Sequence, residues 1–377
     1  MINSRGLNTF CSAARGISGT LRQPSAPLLL LPLLVAAFGA ASAFAQEYDT
    51  VYQLRSDGKL LQNTCSGASC QGGQLLDKNP LTASITSGGG GLFEVLNTGV
   101  LRQFTGTPCN RRGLCLGWLE MDNNAGLKAI AAGSGLGSSN PYLFQLHVSG
   151  GVWQSTGTPC SGNSCLGWTE LDNNSETAQI TAAGGKLNFC FGTNCPPTPN
   201  VPPLVQSHAD GSIWQYNGTP CNGGSCTGWT QIDFAHAGTQ VFGFVNGQGG
   251  AGSIFQIHDG MIFKYTGQPC SGTGLNQVCP GWQWIESAFS AKQVLTAETS
   301  GRLYVLNTDG SIWELSNQST WIERDNNSAT VSIAASNNGL FKLHGDGSIW
   351  YLGTNGWVLV DNNSGATAIA ASSFTVY

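Results

Sequence analysis

Charge is scarce in this sequence, since only 10% of its 377 residues are Asp, Glu, Lys or Arg. Acids outnumber bases, 21 to 16, and no basic stripe runs along the chain. Nucleic-acid binding depends on clustered Lys and Arg side chains, so we expect no nucleic-acid partner. However, 41% of the residues are hydrophobic and 9% aromatic, which excludes a disordered chain.

Several catalytic motifs are also missing. The sequence has no His-Glu-x-x-His segment, no phosphate-binding loop and no serine-nucleophile motif. Its arginines are few and scattered, and no pair of carboxylates stands out as a glycosidase would need. It also lacks an Asp-x-Asp-x-Asp-Gly run for calcium. These absences predict a protein that is not an enzyme and that holds no metal and no cofactor.

Long apolar runs are absent after the amino-terminal segment. There, three arginines precede an apolar run, Leu28–Ala40, and Ala43-Phe44-Ala45 follows it. This order predicts a signal peptide over residues 1–45 and a mature chain that begins at Gln46. The run is short and contains Pro32, which is unlike a membrane span. We therefore expect a secreted protein, extracellular or periplasmic, without a membrane span in its mature form.

Twelve of the 13 cysteines lie in the mature chain, where they form six local pairs. An even number of cysteines in a secreted chain predicts disulfides. Zinc is disfavoured because the spacing is wider than Cys-x2-Cys, and a structural zinc site needs four converging ligands. The predicted disulfides are Cys65–Cys70, Cys109–Cys115, Cys160–Cys165, Cys190–Cys195, Cys221–Cys226 and Cys270–Cys279.

Glycine and tryptophan are abundant, with 52 and 11 residues, and one unit recurs through most of the mature chain. Its fullest copy contains four short pieces, called B, C, D and A: Leu143–His147, Val152–Thr156, Trp168–Leu171 and Thr177–Ala182. Each piece is rich in β-branched or aromatic residues and bounded by glycine, Asp-Gly or Asn-Asn, which is typical of strands. Seven copies of about 47 residues predict an all-β protein, a seven-bladed β-propeller with four antiparallel strands per blade.

The two ends of the mature chain predict how the ring closes. The chain starts on a B strand, Val51–Arg55, and finishes after an A strand, Ala366–Ala371, with Ser372–Tyr377 trailing. The last strand would complete the first blade, a three-plus-one closure that removes exposed edges. Residues 46–377 should then form one propeller domain. Its irregular segment is a Pro-rich insertion, residues 186–203, between the A and B strands of the fourth blade.

The repeat resembles that of a known group of propeller lectins. Asp210-Gly-Ser-Ile-Trp-Gln-Tyr216 and Gly356-Trp-Val-Leu-Val360 are similar to repeats of the tectonin and tachylectin group. The resemblance covers about Val51–Ala371. It departs from the plain pattern in the cysteine loop between strands C and D and in the Pro-rich insertion. The resemblance implies a propeller fold and binding of carbohydrate.

Because successive strands run in opposite directions, the links sort onto two faces. The B–C links carry Asp-Gly turns and the D–A links carry Asp-Asn-Asn segments, so both motifs should share one face. The cysteine loops, the Gly-rich A–B links and the insertion should share the opposite face. Loops on a rigid scaffold commonly carry function. The first of these faces is therefore the candidate binding face.

Polar residues that recur on this face are the candidate ligand-binding side chains. Asp and Asn could bind sugar hydroxyls or simply form Asx turns. The histidines that end four B strands could line a pocket or bond to the adjacent loop. The repeated tryptophans should be buried between blades, and Trp284, which is outside both series, should be exposed. The candidates are His147, Asp172, Asn173, Asn174, His208, Asp210, Trp284, Asp309, Asp325, Asn326, His344, Asp346, Asp361 and Asn362.

These patterns together predict a secreted, multivalent carbohydrate-binding propeller. Each site would lie between the D–A loop of one blade and the B–C end of a neighbour, and several weak sites would give avidity. Two alternatives stay open. One is a protein-interaction or adhesion scaffold that uses the insertion, and the other is a glycan-cleaving enzyme with a single axial site. The partner is accordingly expected to be a glycan or a protein.

Overall fold

The computed structural model describes residues 46–133, 142–183, 204–234, 236, 239–244, 253–272, 276–286, 290–297, 302–316, 320–336, 339–363 and 365–376. The chain divides into two units, Met1–Ala43 and Phe44–Tyr377, and all described residues belong to the second. The predicted signal peptide, the insertion 186–203 and its Cys190–Cys195 pair lie outside the described residues. Within the described ranges, no helix is long and apolar enough to cross a membrane.

The described residues form seven four-stranded antiparallel sheets, each with the strand order A-B-C-D. The strands are numbered in chain order. The A strands are β4 (Thr82–Gly88), β8 (Leu127–Gly133), β12 (Thr177–Ala182), β16 (Gln240–Phe244), β20 (Ala291–Thr296), β24 (Thr330–Ala335) and β28 (Ala366–Val376). The B strands are β1 (Gln46–Arg55), β5 (Gly91–Leu96), β9 (Tyr142–His147), β13 (Leu204–His208), β17 (Ser253–His258), β21 (Leu303–Asn307) and β25 (Leu340–His344).

The remaining strands occupy the outer half of each sheet. The C strands are β2 (Leu60–Ser66), β6 (Leu101–Phe104), β10 (Val152–Ser155), β14 (Ile213–Tyr216), β18 (Met261–Tyr265), β22 (Ile312–Ser316) and β26 (Ile349–Gly353). The D strands are β3 (Ser69–Asp77), β7 (Trp118–Asp122), β11 (Trp168–Asp172), β15 (Trp229–Asp233), β19 (Trp282–Glu286), β23 (Thr320–Asp325) and β27 (Gly356–Asp361). Each A strand contacts the A strands of both neighbouring blades, and these contacts run in a closed circuit. The predicted seven-bladed propeller is therefore confirmed, with strand A innermost and strand D outermost.

The ring closes in the first blade, whose strand order is β28-β1-β2-β3. Three-plus-one closure by the carboxy-terminal strand is thus confirmed, but the paired segment is longer than predicted. Strand β28 continues through Ser372–Val376, which was expected to trail, and β1 begins at Gln46 rather than Val51. Gln46 pairs with Val376 and Leu54 with Ala368. The two ends continue as a ladder because each supplies the backbone partners that the other lacks.

The hydrophobic core is distributed over the junctions between consecutive blades, where one blade's sheet packs on the next. Between the third and fourth blades, Phe144 and Leu171 pack with Leu204 and Tyr216, all buried. Strand B contributes most to these layers. Every residue of β25, for example, is buried. This arrangement agrees with the apolar runs that mark the B strands in the sequence.

The tryptophan that opens most D strands also joins consecutive blades. The indole Nε1 of Trp229, in the fourth blade, donates to the carbonyl oxygen of Leu171, in the third, at 2.9 Å. The same bond runs from Trp118 to Leu76, Trp168 to Met121, Trp282 to Ile232 and Trp357 to Arg324, at 2.7–3.0 Å. These tryptophans lie between blades as predicted, but their side chains are half-buried rather than fully buried, as are those of Trp153, Trp214, Trp313 and Trp350.

Trp229→Phe should lower the free energy of unfolding by about 1–2 kcal/mol, because it deletes the indole donor and leaves the Leu171 carbonyl without that bond. Trp284 is a matched control, since it lies on an equivalent outer strand but its side chain is 54% exposed. Trp284→Phe should change stability by less than about 0.5 kcal/mol. Denaturant unfolding of the oxidised proteins measures both changes. Equal losses in the two variants would contradict this role of the indole.

Candidate functional site

Six of the seven D strands end in an aspartate, and in most of them it is a junction residue. Asp172 is only 5% exposed, and its Oδ2 accepts a hydrogen bond of 2.7 Å from the Nε2 of Gln206, in the B strand of the next blade. Equivalent bonds run from Gln256 to Asp233, from Lys342 to Asp325 and from Gln53 to Asp361. These bonds offset the cost of burying a carboxylate. Asp172, Asp325 and Asp361, predicted as ligand-binding residues, thus hold consecutive blades together.

The last asparagine of each Asp-Asn-Asn segment shapes the D–A loop. The Oδ1 of Asn174 accepts a hydrogen bond from the amide of Glu176, which is an Asx turn. Asn124, Asn327 and Asn363 do the same with the amides of Gly126, Ala329 and Gly365. The Nδ2 of Asn174 then lies 3.4 Å from the Nε2 of His208, at the end of the next blade's B strand. The structure therefore brings Asn174 and His208 together.

Each of the four histidines that end a B strand packs against an aromatic ring of the adjacent C strand. His208 stacks on Trp214 with ring centroids 5.5 Å apart, and His147 stacks on Trp153 at 6.0 Å. His344 packs against Trp350 at 5.9 Å, and His258 stacks on Phe263 at 4.4 Å. Burial lowers the pKa of His208, and also of His147 and His344. These three imidazoles are therefore neutral at neutral pH and can either donate or accept a hydrogen bond.

The aspartates of the Asp-Gly turns are exposed on the same face. The Oδ1 of Asp210, Asp309 and Asp346 accepts a bond of 2.8–2.9 Å from the amide two residues later. That bond, with the hydroxyl of Ser348, holds the pKa of Asp346 below its usual range. The glycine that follows must adopt a positive φ. In the fourth blade, a Cβ on Gly211 would lie 1.8 Å from the carbonyl oxygen of His236 in the next D–A loop.

Four further candidates are exposed, but they do not all lie together. Asn173, Asn326 and Asn362, the central residues of three Asp-Asn-Asn segments, are exposed on the D–A loops. Trp284 is exposed as predicted, but it lies in the middle of the outermost strand of the fifth blade. It is therefore on the side of the ring and apart from the turn-bearing face.

The positions of the cysteine loops differ from the prediction. In the fourth blade, the amide of Cys221 donates to the carbonyl of Glu170, halfway along the previous blade's D strand. Further along the same loop, the carbonyl of Gly224 accepts a bond of 3.0 Å from the Nδ2 of Asn173. The loop thus folds back along the outside of the ring to the D–A face. Strand direction fixes the face on which a link begins and ends. A link as long as residues 217–228 can nevertheless extend to the other face and come back.

The cysteine loops of the second, third and fifth blades follow the same outer path. The amides of Cys109, Cys160 and Cys270 donate to the carbonyls of Leu75, Glu120 and Gln231 in the preceding blades. A Cβ on Gly113, in the second blade's loop, would lie 3.1 Å from the Nζ of Lys78, the residue after Asp77. The structure confirms five disulfides: Cys65–Cys70, Cys109–Cys115, Cys160–Cys165, Cys221–Cys226 and Cys270–Cys279.

One group of potential metal ligands occurs within the described residues, formed by Glu120, Cys160 and Cys165. The two sulfur atoms are bonded to each other, so they are not thiolates that could hold a metal. The carboxylate lies beside the disulfide because the third blade's loop runs along the second blade's D strand. This cluster is a consequence of the loop's path.

The junction between the first and second blades differs in its chemistry. Glu94 replaces the junction glutamine, and Arg102 replaces the C-strand tryptophan. The Arg102 guanidinium contacts the carboxylates of both Glu94 and Asp77. Burial raises the pKa of Glu94 to about 8, although Arg102 opposes this change. Leu96 stands where other blades have histidine, so this junction lacks the His–Trp pair.

Sequence reasoning missed His236. The D–A loop after the fourth blade reads Asp233-Phe-Ala-His236, one residue longer than Asp-Asn-Asn. The carbonyl of His236 accepts the amide of Thr239, as the carbonyl of Asn174 accepts that of Thr177, so His236 takes the place of the last asparagine. Its ring stacks on His258 with centroids 4.5 Å apart, and His258 in turn stacks on Phe263. The B–C turn here is short, and Asp259 adopts a φ of 52°. The sequence did contain a signal for His236, because Asp-Asn-Asn is missing at the position where the repeat predicts it.

No protein-family model matches this chain, and no curated protein matches it. Solved propeller structures resemble it at low identity. Apo AztD from Citrobacter koseri has 9% identity and a TM-score of 0.47, covering 87% of this chain and 98% of its own. Human WBSCR16 has 11% identity and a TM-score of 0.48, with 83% and 94% covered. Prp20p from Saccharomyces cerevisiae has 10% identity and a TM-score of 0.48, with 85% and 87% covered. At these values the likenesses carry no information on function.

Gln206→Leu should lower the free energy of unfolding by about 1–3 kcal/mol, since it leaves the buried Asp172 carboxylate without its donor. Gln215→Leu, on the C strand of the same blade, is the control because Gln215 is only half-buried. Denaturant unfolding compares the two. A loss at Gln206 no larger than that at Gln215 would contradict the junction role of Asp172.

Glu94→Gln should flatten the pH dependence of stability. The pKa of Glu94 is about 8 in the fold and 4.5 ordinarily, so folding favours the protonated carboxyl. Its stabilising contribution is complete below about 4.5 and is lost as the pH rises towards 8. The parent protein should lose stability over this range relative to Glu94→Gln. The exposed Glu323→Gln serves as control. Parallel curves of stability against pH for the parent and Glu94→Gln would contradict the prediction.

Proposed function

We propose that this propeller is a secreted, multivalent carbohydrate-binding protein without catalytic activity. The observation that carries the proposal is the recurrence of one set of side chains on a single face. In the fourth blade the set comprises the half-buried indole of Trp214, the neutral imidazole of His208, the amide of Asn174 and the exposed carboxylate of Asp210. An aromatic ring bordered by a few polar groups is the composition of a small-ligand site, and it suits the apolar face and hydroxyls of a sugar ring.

The set recurs with variations in two other blades. The seventh blade has Trp350, His344 and Asp346, with Asn326 exposed on the adjoining D–A loop. The third blade has Trp153 and His147, with Asn124 at 3.4 Å from the imidazole. Several similar sites on one rigid ring would gain avidity on a surface that displays many glycans. The resemblance of the repeat to tectonin and tachylectin lectins agrees with this proposal.

The absence of catalysis is inferred from how the carboxylates are used. Asp172, Asp325 and Asp361 are bonded to side chains of the next blade, and the turn aspartates accept backbone amides. A glycosidase needs two carboxyl groups that both face the substrate. At the junction between the third and fourth blades the exposed carboxylates are those of Asp210, which is held in its turn, and Glu176 on the D–A loop.

Titration calorimetry of the oxidised protein with methyl glycosides of galactose, mannose, fucose and N-acetylglucosamine tests the proposal. We expect binding with a stoichiometry above one, and Asp346→Ala should remove about one equivalent. Asn217→Ala, in an exposed C–D loop, is the control and should leave the stoichiometry unchanged. No binding to any glycoside, or to a wider glycan array, would overturn the proposal. A stoichiometry of one together with glycan cleavage would favour the enzyme instead.

A protein partner is the second candidate, favoured by apolar side chains on the outside of the ring. Leu116 and Leu166 hold equivalent positions in the cysteine loops of the second and third blades and are 73% and 88% exposed. Exposed leucines on adjacent blades are a feature of interaction surfaces. Loss of a protein contact in Leu116→Ser and Leu166→Ser, with glycoside binding absent throughout, would support this candidate.

A further inference from the structure

We infer that the disulfide-closed loop of the fourth blade positions Asn173 for ligand binding at the junction between the third and fourth blades. The inference rests on the proposed function, because Asn173 belongs to the binding face described above. It assigns a role at that face to a loop that begins and ends at the opposite side of the ring.

The contact that carries the inference is the hydrogen bond between the Nδ2 of Asn173 and the carbonyl oxygen of Gly224, at 3.0 Å. Asn173 is the exposed central residue of its Asp-Asn-Asn segment, between buried Asp172 and Asn174 of the Asx turn. Asp172 and Asn174 are held by contacts within the third blade and at its junction, whereas the side-chain amide of Asn173 is held by the fourth blade. One donor of the amide is thus occupied, which orients the second donor and the Oδ1 for a ligand.

The loop is well suited to hold this position. Cys221 and Cys226 are joined, and Asn222 pairs with Ser225 as an isolated β-bridge. The amide of Cys221 fixes the loop to the third blade through the carbonyl of Glu170. Gly224 has a φ of 84°, a conformation that other residues rarely adopt, and it presents its carbonyl to Asn173. The disulfide therefore closes the loop whose tip carries the Gly224 carbonyl, the acceptor of the bond from Asn173.

The third blade contains a matched loop without this contact. Cys160–Cys165 has the same spacing as Cys221–Cys226, and the same internal bridge joins Ser161 and Ser164. Asn163 stands where Gly224 stands, and within the described residues no bond joins this loop to the Asn123 side chain. The seventh blade, which follows Asn326 along the ring, lacks cysteines, so Asn326 has no such loop beside it. The chain therefore supplies its own controls.

The test is a double-mutant cycle on glycoside affinity with Asn173→Ala and the pair Cys221→Ser/Cys226→Ser, measured in the full-length oxidised protein. If the loop acts through Asn173, each change should weaken one class of site by about three- to tenfold, and the combination should weaken it no further. Cys160→Ser/Cys165→Ser should leave that affinity unchanged, and Asn326→Ala should weaken a different site independently of the loop. Unfolding midpoints of all variants show whether the fold is retained.

The outcomes separate the inference from the proposed function. No glycoside binding by the parent protein overturns the proposed function and this role with it. Binding by the parent, with additive effects of Asn173→Ala and the cysteine pair, overturns the positioning role alone. The same cycle on the free energy of unfolding gives an independent reading, because a coupling there shows the Asn173–Gly224 contact without any ligand.

Discussion

The ring depends on hydrogen bonds that cross from the D strand of one blade to the following blade, and six of the seven D strands show them among the described residues. In the third blade, Glu170 and Leu171 accept bonds through their carbonyls from Cys221 and Trp229, and Asp172 accepts through its carboxylate from Gln206. Three consecutive residues are thus acceptors for the loop, the D strand and the B strand of the fourth blade. Apolar packing alone would let two blades slide, whereas directional bonds at three depths fix their register.

This constraint divides the Asp-Asn-Asn segment into three roles. The aspartate must be buried and paired, so it serves the ring; the last asparagine forms the turn that starts the next A strand. Only the central residue is free of both duties and faces solvent, as Asn173 and Asn326 do. Variation at this position, such as Lys78 after the first blade, therefore changes the surface without changing the junction. The repeat can therefore keep the residues that form the junction and the turn while the exposed central residue changes from blade to blade.

The blades also differ in how they are reinforced. The second to fifth blades have disulfide loops that reach back to the preceding D strand, and the sixth and seventh have none. The second blade replaces glutamine and tryptophan by Glu94 and Arg102, which keeps the junction bonded but places a buried, titratable carboxyl beside an arginine. Because burial raises the pKa of Glu94 to about 8, the charge at this junction changes near neutral pH. The seven blades consequently share one topology but differ in the disulfides and side chains that join them.

The sequence by itself determined the seven blades, the four strands in each, the closure by the last strand and the five described disulfides. These follow from local patterns that repeat, because strand length, turn type and cysteine spacing are properties of neighbouring residues. Tertiary structure alone decided that Asp172 and Asp361 face the next blade, that the fourth blade's cysteine loop returns to the D–A face, and that His236 joins the stack on His258. Those contacts join residues of different blades, and their partners are set by how the sheets pack, which a single repeat does not specify.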